Sequence, residues 1–334
     1  MFARPATVHR RLAPLDPSER RRHKVRNIVQ SVLLLGGMVL LLGLCGWLVF
    51  GPDGMVGLGL GAALALAFSP GVSPQIVLRM YRARQIEPWQ LPEVHALVER
   101  LAERAGIEGS LRLFYVPSSI LNAFAVGDRN DAAIALTDGM LRALTLRELA
   151  GVLAHEISHI RNNDLWLMGL ADVVGRLTRL MSLFGLALLI LGLPMWLAGA
   201  AGVSLLVIPL LLFAPQLALL LQLALSRARE FDADLDAAGL TDDPAGLASA
   251  LAKLERYQRG VWERIFMPDY RLPEPSLLRT HPPTAERVAR LQQLYGAPGD
   301  RQAAPSLARE RTPTEIPWAR TAVAPRSRAF GYWY

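Results

Sequence analysis

His155 and His159 stand four residues apart, with Glu156 between them, in the segment Leu146 to Arg161, where Leu149, Val152, Leu153 and Ile157 recur at helical spacing. On a helix this spacing puts both imidazoles on one face, so one metal ion can take a nitrogen from each. The pattern is His-Glu-x-x-His, in which the glutamate is the general base of a zinc hydrolase. A three-position pattern also recurs by chance, so the test is whether the chain supplies the third ligand that a catalytic zinc needs. His9 and His23 lie in a basic amino-terminal arm, and His95 lies in a separate helix, where a surface or satisfied-core histidine is expected. The better source is the acidic run Ser226 to Asp234. Glu230 and Asp234 are four apart and share a helix face, so one can bind metal while the other accepts the outer N–H of a zinc-bound imidazole. Glu230 is read as the ligand, Asp234 as the supporting carboxylate, and Asp232 and Asp236 as solvated charge. The expected cofactor is one Zn2+ per chain. The expected reaction is metal-assisted hydrolysis, with Glu156 taking a proton from water and returning it to the leaving amine. A further donor should stabilise the oxyanion. His281 and Arg287 are the candidates, although His281 before two prolines would equally brace the last helix and Arg287 would equally form an ion pair.

The elements that position these groups include a membrane part. With 52% hydrophobic residues and a mean hydropathy of +0.26, the chain of 334 residues is too apolar for an ordinary soluble enzyme. Its net charge of +7 is mainly arginine and reads as a topology signal, not as a nucleic-acid surface. The single Cys45 rules out an intramolecular disulfide and a thiolate zinc cluster. Uncharged runs predict four transmembrane helices: Ile28 to Phe50, Met55 to Leu78 with breaks near Pro70 and Pro74, and a hairpin over Leu180 to Leu225 turning at Ala198 to Gly202. Gly57, Gly59 and Gly61 in the second run suit close helix packing in lipid. Arg20, Arg21, Arg22, Lys24 and Arg26 precede the first span, Arg79, Arg82 and Arg84 follow the second, and Arg227 and Arg229 follow the fourth. By the positive-inside rule both termini and the polar segments are cytoplasmic.

The polar part reads as a small α+β unit, mainly α. Pro92 opens an amphipathic helix with Val94, Leu97, Val98 and Leu101 that closes near Gly106. Leu111 to Val116, Asn122 to Val126 and Ala132 to Thr137 read as strands, and a later helix starts at Asp243-Pro244 with Leu247, Leu251 and Leu254 on one side. The resulting organisation is a basic arm (1–27), two spans (28–78), a catalytic part with the paired histidines (79–179), a helical hairpin (180–225), a second catalytic part (226–296) and a tail (297–334) whose composition predicts disorder.

Asn122-Ala123-Phe124-Ala125, the His155 to His159 motif continued to Asp164, the Glu230 to Asp234 motif and Thr280-His281-Pro282-Pro283 followed by Arg287 occur in an order that resembles the HtpX-type membrane metalloproteases. These are gluzincins related to the CAAX prenyl endopeptidases, and the likeness runs from about Ile28 to Leu294. The resemblance implies a zincin-like protease domain facing the cytoplasm of a bacterial inner membrane and acting on unfolded or misassembled membrane proteins. It also implies that Asn122, Ala123, Phe124 and Ala125 form an edge strand to which substrate adds as an extended chain. The competing readings are a membrane scaffold that keeps the fold without turnover and a dedicated processing protease. Intact His155, Glu156, His159 and Glu230 argue against the scaffold.

Overall fold

The segment carrying the paired histidines folds as the helix its apolar repeat predicts. The computed structural model describes residues 17–67, 74–109, 111–197, 207–266 and 283–295. In chain order the elements are α1 (Pro17–Ala67), α2 (Pro74–Met80), β1 (Arg84–Gln85), α3 (Pro92–Ala105), β2 (Arg112–Val116), β3 (Ala123–Gly127), β4 (Ala132–Thr137), α4 (Asp138–Ala143), α5 (Leu146–Arg161), α6 (Asp164–Leu197), α7 (Val207–Thr241), α8 (Pro244–Phe266) and α9 (Thr284–Tyr295). The chain is mainly helical with one small mixed sheet.

The expectation of four spanning helices is corrected to three. Among the described residues only Lys24–Ala62, Asp164–Gly192 and Pro209–Thr241 are long and apolar enough to cross a bilayer. Between the first two uncharged runs the helix is interrupted at one non-helical residue, Gly51, at φ 70 and ψ −158. Glycine alone adopts that conformation without a Cβ penalty. The limb described beyond it, Pro52 to Ala67, forms no separate spanning helix. It lies back against the first limb, with Leu58 and Ala62 packed on the cluster around Met38 and Leu42. The close-packing role given to Gly57, Gly59 and Gly61 is not realised, since a Cβ at any of them would meet nothing within 4 Å. Gly46 is the glycine that approaches the opposite limb, where a Cβ would stand 2.6 Å from Leu58. The turn expected at Ala198 to Gly202 and the tail 297–334 lie outside the described residues. Helix α7 does not break after Leu225 but continues through the acidic motif to Thr241.

The sheet has the order β1-β2-β4-β3, with β2 parallel and β3 antiparallel to β4. β3 is therefore an edge strand. β1, two exposed residues pairing with Tyr115 and Phe114 of β2, is too short to leave a period in the sequence. Helix α5 is fixed at its start by a capping box in which Thr145 and Glu148 exchange side-chain and backbone hydrogen bonds. Leu149, Leu153 and Ile157 bury its apolar side completely. Glu148 also accepts hydrogen bonds from Ser249 at 2.7 Å and from Lys253 at 2.7 Å, tying α5 to α8. The two helices touch closely at Gly151, where a Cβ would stand 2.8 Å from the backbone of Leu247.

Two consequences are measurable. Gly151→Ala must push α8 away, and overpacking at about 1–3 kcal/mol outweighs the ~1 kcal/mol helix-propensity gain. Its melting temperature in detergent should fall, whereas Gly169→Ala, with nothing within 4 Å, should hold or gain. An unchanged Gly151→Ala melt would show that α8 yields without cost. For Glu148, burial works to raise the carboxyl pKa, but Lys253, Ser249 and Thr145 override it and leave the group below its ordinary value. Its charged form thus favours the native state, fully so above the unfolded carboxylate value near ~4.3, and this contribution is lost as pH falls through the lower native value. Glu148→Gln should cost about 1–3 kcal/mol at neutral pH and flatten the acid limb of the stability curve. Identical acid limbs would remove Glu148 from that role.

Candidate active site

Helix α5 presents His155, Glu156 and His159, and α7 lays Glu230 across from them. One ligand atom each from His155, His159 and Glu230 lies within 4.8 Å of the others. The two Nε2 atoms face each other at 3.2 Å, and the Glu230 carboxylate oxygens stand 3.4 Å from His155 Nε2 and 3.7 Å from His159 Nε2. Each ring is backed at Nδ1 by a carboxylate: His155 by Asp234 at 3.1 Å and His159 by Asp164 at 2.8 Å. Carboxylates accept only, so both Nδ1 atoms carry hydrogen and both Nε2 lone pairs point inward. Opposed lone pairs at that distance require a cation between them, either a metal ion or a shared proton. Burial works against a charged His155 ring, yet Asp234 and Glu230 push it up to about 10. The pocket therefore favours positive charge. Two imidazole nitrogens and one carboxylate are the donor set of a catalytic zinc, so these residues fit that ion.

The supporting carboxylates are themselves held. Arg287 of α9 makes a two-pronged contact with Asp234 at 2.6 and 2.7 Å, and its guanidinium reaches Glu230 at 3.4 Å. The structure thus brings Arg287 to the site, on the outer side of His155. His281 lies outside the described residues. Asp164 receives Arg229 Nε at 2.6 Å, and Arg229 also pairs with Asp232 at 2.9 Å. Reading Asp232 and Asp236 as solvated charge is wrong, since both are 1% exposed. Asp236 takes Asn162 Nδ2 at 3.0 Å and Lys24 Nζ at 3.3 Å. The position of Arg229 after an apolar run suggested only topology, and Asp164 lies beyond the end of α5. It reaches His159 because Asn163, at φ 55, turns the chain back into α6. A lone His95 behaves as expected, with Nε2 2.9 Å from the Ile86 carbonyl.

Glu156 is placed between the metal-ligating face and the sheet. Its Oε2 accepts the Ala125 N–H at 3.1 Å. Burial raises its pKa, His155 and His159 oppose that, and Glu230 adds to it, leaving the carboxyl above its ordinary value. A carboxyl raised in this way is a stronger base than an exposed one, as a proton acceptor requires. Asn122 pairs with Thr137 of β4 through its N–H and carbonyl, so even-numbered residues of β3 face β4. The odd-numbered Ala123 and Ala125 then turn their backbone groups to the free edge. That edge borders an open cavity of about 500 Å³ with His155, Glu156, His159 and Glu230 on its polar side and Met140, Val152, Leu247 and Leu251 on its apolar side.

Known proteins share much of this sequence. The sequence pattern of Peptidase family M48 matches residues 88–295. The chain is similar to a "Protease HtpX homolog" of Acaryochloris marina (strain MBIC 11017), 39% identical over 281 residues covering 79% of this chain and 90% of the relative. It is likewise similar to a "Protease HtpX homolog" of Acidiphilium cryptum (strain JF-5), 38% identical over 292 residues covering 80% and 96%. Among solved structures it is similar to S. mikatae Ste24p, with a TM-score of 0.47 and 22% identity, covering 81% of this chain and 66% of that one. The matched pattern takes in His155, Glu156, His159, Asp164, Glu230, Asp234 and Arg287, and by this pattern and the HtpX homologues the chain belongs to peptidase family M48.

Proposed function

We propose that this metalloendopeptidase hydrolyses unfolded or misassembled membrane proteins at a zinc ion held by His155, His159 and Glu230, with Glu156 as general base. The observation that carries the reading is the convergence of three ligand atoms within 4.8 Å beside a free strand edge. Zinc bound there would supply an acidified water and a polarised scissile carbonyl. The chain's own residues do the rest. Asp234 and Asp164 fix the two imidazole tautomers, and Arg287 holds Asp234 and tempers the charge of Glu230. Glu156 takes the proton of the attacking water and delivers it to the leaving amine, while the Ala125 N–H keeps its carboxylate at the end of the strand. Substrate lies along β3 and pairs with the outward N–H and carbonyl of Ala123, a grip that reads backbone and so accepts any locally unfolded sequence. Arg287 remains the candidate oxyanion donor among the described residues, and His281 is the other.

The active site faces the cytoplasm of a bacterial inner membrane in this reading. Lys24 at the start of α1, Asp164 at the start of α6 and Asp236 near the end of α7 meet around the site, so the arginine-rich flanks and the catalytic part share one side of the bilayer. The cavity wall includes Leu165 and Met168 of the second spanning helix, which sets the reaction close to the membrane surface. Quality control of membrane proteins fits a site that grips backbone beside lipid.

Two substitutions separate binding from chemistry. Glu156→Gln keeps the side-chain size and the acceptor for Ala125, so the folded protein should retain one zinc per chain while turnover of an unfolded protein falls about 10⁴-fold or more. Equal turnover with wild type would sink the mechanism, and absent turnover in both would revive the scaffold reading. Ala123→Pro deletes an N–H on the free edge, where proline leaves the β4 ladder intact. Cleavage should drop about 10-fold, the worth of one hydrogen bond, with zinc content unchanged. Cutting at the wild-type rate would dismiss strand addition at this position.

A further inference from the structure

Two polar side chains near the start of α1 are buried or half-buried against α7, although nothing in lipid anchoring asks for them there. Asn27 is 6% exposed, and its Nδ2 donates to Asp232 Oδ1 at 3.5 Å. Burying an amide is costly unless it is hydrogen-bonded. From Asp232 the contacts continue inward without interruption. Asp232 Oδ2 pairs with Arg229 Nη2 at 2.9 Å, Arg229 Nε donates to Asp164 Oδ1 at 2.6 Å, and Asp164 Oδ2 stands 2.8 Å from His159 Nδ1. One turn away, Lys24 Nζ reaches Asp236 Oδ2 at 3.3 Å, and the same oxygen accepts Asn162 Nδ2 at 3.0 Å. Asn162 is the residue on which α5 ends. Two contacts from α1 thus bear on His159, one through its carboxylate partner and one through the end of its helix.

We infer that Asn27 and Lys24 are positioning residues for the metal site, so that α1 completes the site and is not only an anchor. The inference rests on the assignment of His159 as a zinc ligand. The physical reasoning is that Arg229 bridges two buried carboxylates, and its orientation is determined only if the outer one, Asp232, is itself held. Asn27 supplies that hold. When it is removed, Arg229 can follow Asp232, and the Asp164 carboxylate loses the fixed direction that orients the His159 imidazole. Lys24 acts on the same ring by holding Asp236 against the last turn of α5.

The test is zinc affinity, measured on the full chain in detergent by competition with a chromogenic chelator, together with the melting temperature of the zinc-free protein. Asn27→Leu and Lys24→Met should each weaken zinc about 3- to 10-fold, less than the 10- to 100-fold expected for a direct partner of a ligand. Lys24→Arg should stay near wild type. So should Ser31→Ala, whose hydroxyl only donates to the Asn27 carbonyl at 2.8 Å within the helix. Lower melting temperatures with unchanged zinc affinity in both variants would make the contacts merely structural and overturn the inference. If Asn27→Leu does not fold, Lys24→Met, at a side chain 31% exposed, decides alone. His159→Ala distinguishes the two levels. Retained zinc there would remove the ligand assignment itself, whereas lost zinc there with unaffected α1 variants would remove only the role of α1.

Discussion

Two imidazole nitrogens held face to face at 3.2 Å, with their lone pairs opposed, are the constraint on which the surrounding structure depends. Such an arrangement is stable only around a cation and only if both rings are kept from turning. A carboxylate behind each Nδ1 supplies the second condition, and each carboxylate is in turn a buried charge that needs a partner. Asp234 therefore calls for Arg287, and Asp164 calls for Arg229. The site grows outward by this rule across α5, α6, α7 and α9. Residues from 155 to 287 are brought together by electrostatic necessity at a place where apolar packing alone would be indifferent to their orientation.

The membrane enters the same construction through α7. The stretch Pro209–Thr241 is roughly 50 Å long, well beyond a ~30 Å hydrocarbon core, so one helix can be lipid-solvated over its first part and carry Glu230, Asp232, Asp234 and Asp236 clear of lipid on its last turns. No hinge separates the two functions. Any tilt or displacement of α7 would carry the Glu230 carboxylate with it. The packing of α1 and α6 along α7 then matters for chemistry as well as for anchoring. Val174, Met38 and Leu225, one from each helix, meet in a single buried apolar cluster.

What was legible in the sequence was local. The four-residue spacing of His155 and His159 and of Glu230 and Asp234, the cap at Asp243-Pro244 and the strand Ala132–Thr137 each leave a periodic or turn signal within a few residues. What was not legible depended on partners far along the chain. Asp232 and Asp236 look like solvated charge in a run of acidic residues, and only α1 and the end of α5 packing over them make them buried. Asp164 acquires its place from the positive φ of Asn163, for which asparagine is a weak cue. Gly57, Gly59 and Gly61 carry the spacing of a packing ridge, but the face that meets the first limb of α1 is the one with Leu58 and Ala62. A small-residue pattern says that close approach is possible and leaves open which face uses it. The second run, read from hydropathy as a span of its own, belongs among the described residues to the same helix as the first, bent at Gly51.

A buried network of charges is a poor way to gain stability, since apolar residues of the same volume often serve as well or better. Its persistence here has to be explained by what apolar residues cannot do. The linked carboxylates include Glu156, Asp164, Glu230, Asp232, Asp234 and Asp236, and the cationic side chains facing them include Lys24, Arg161, Arg229 and Arg287. Asp234 and Glu230 push the His155 ring up against burial, whereas Glu156 is raised chiefly by burial itself. Among the described residues, the place where three ligand atoms converge to receive a cation is between His155, His159 and Glu230. The network thus converts an unfavourable burial of charge into a directed affinity for a cation, at the point where Glu156 and the free edge of β3 meet the cavity.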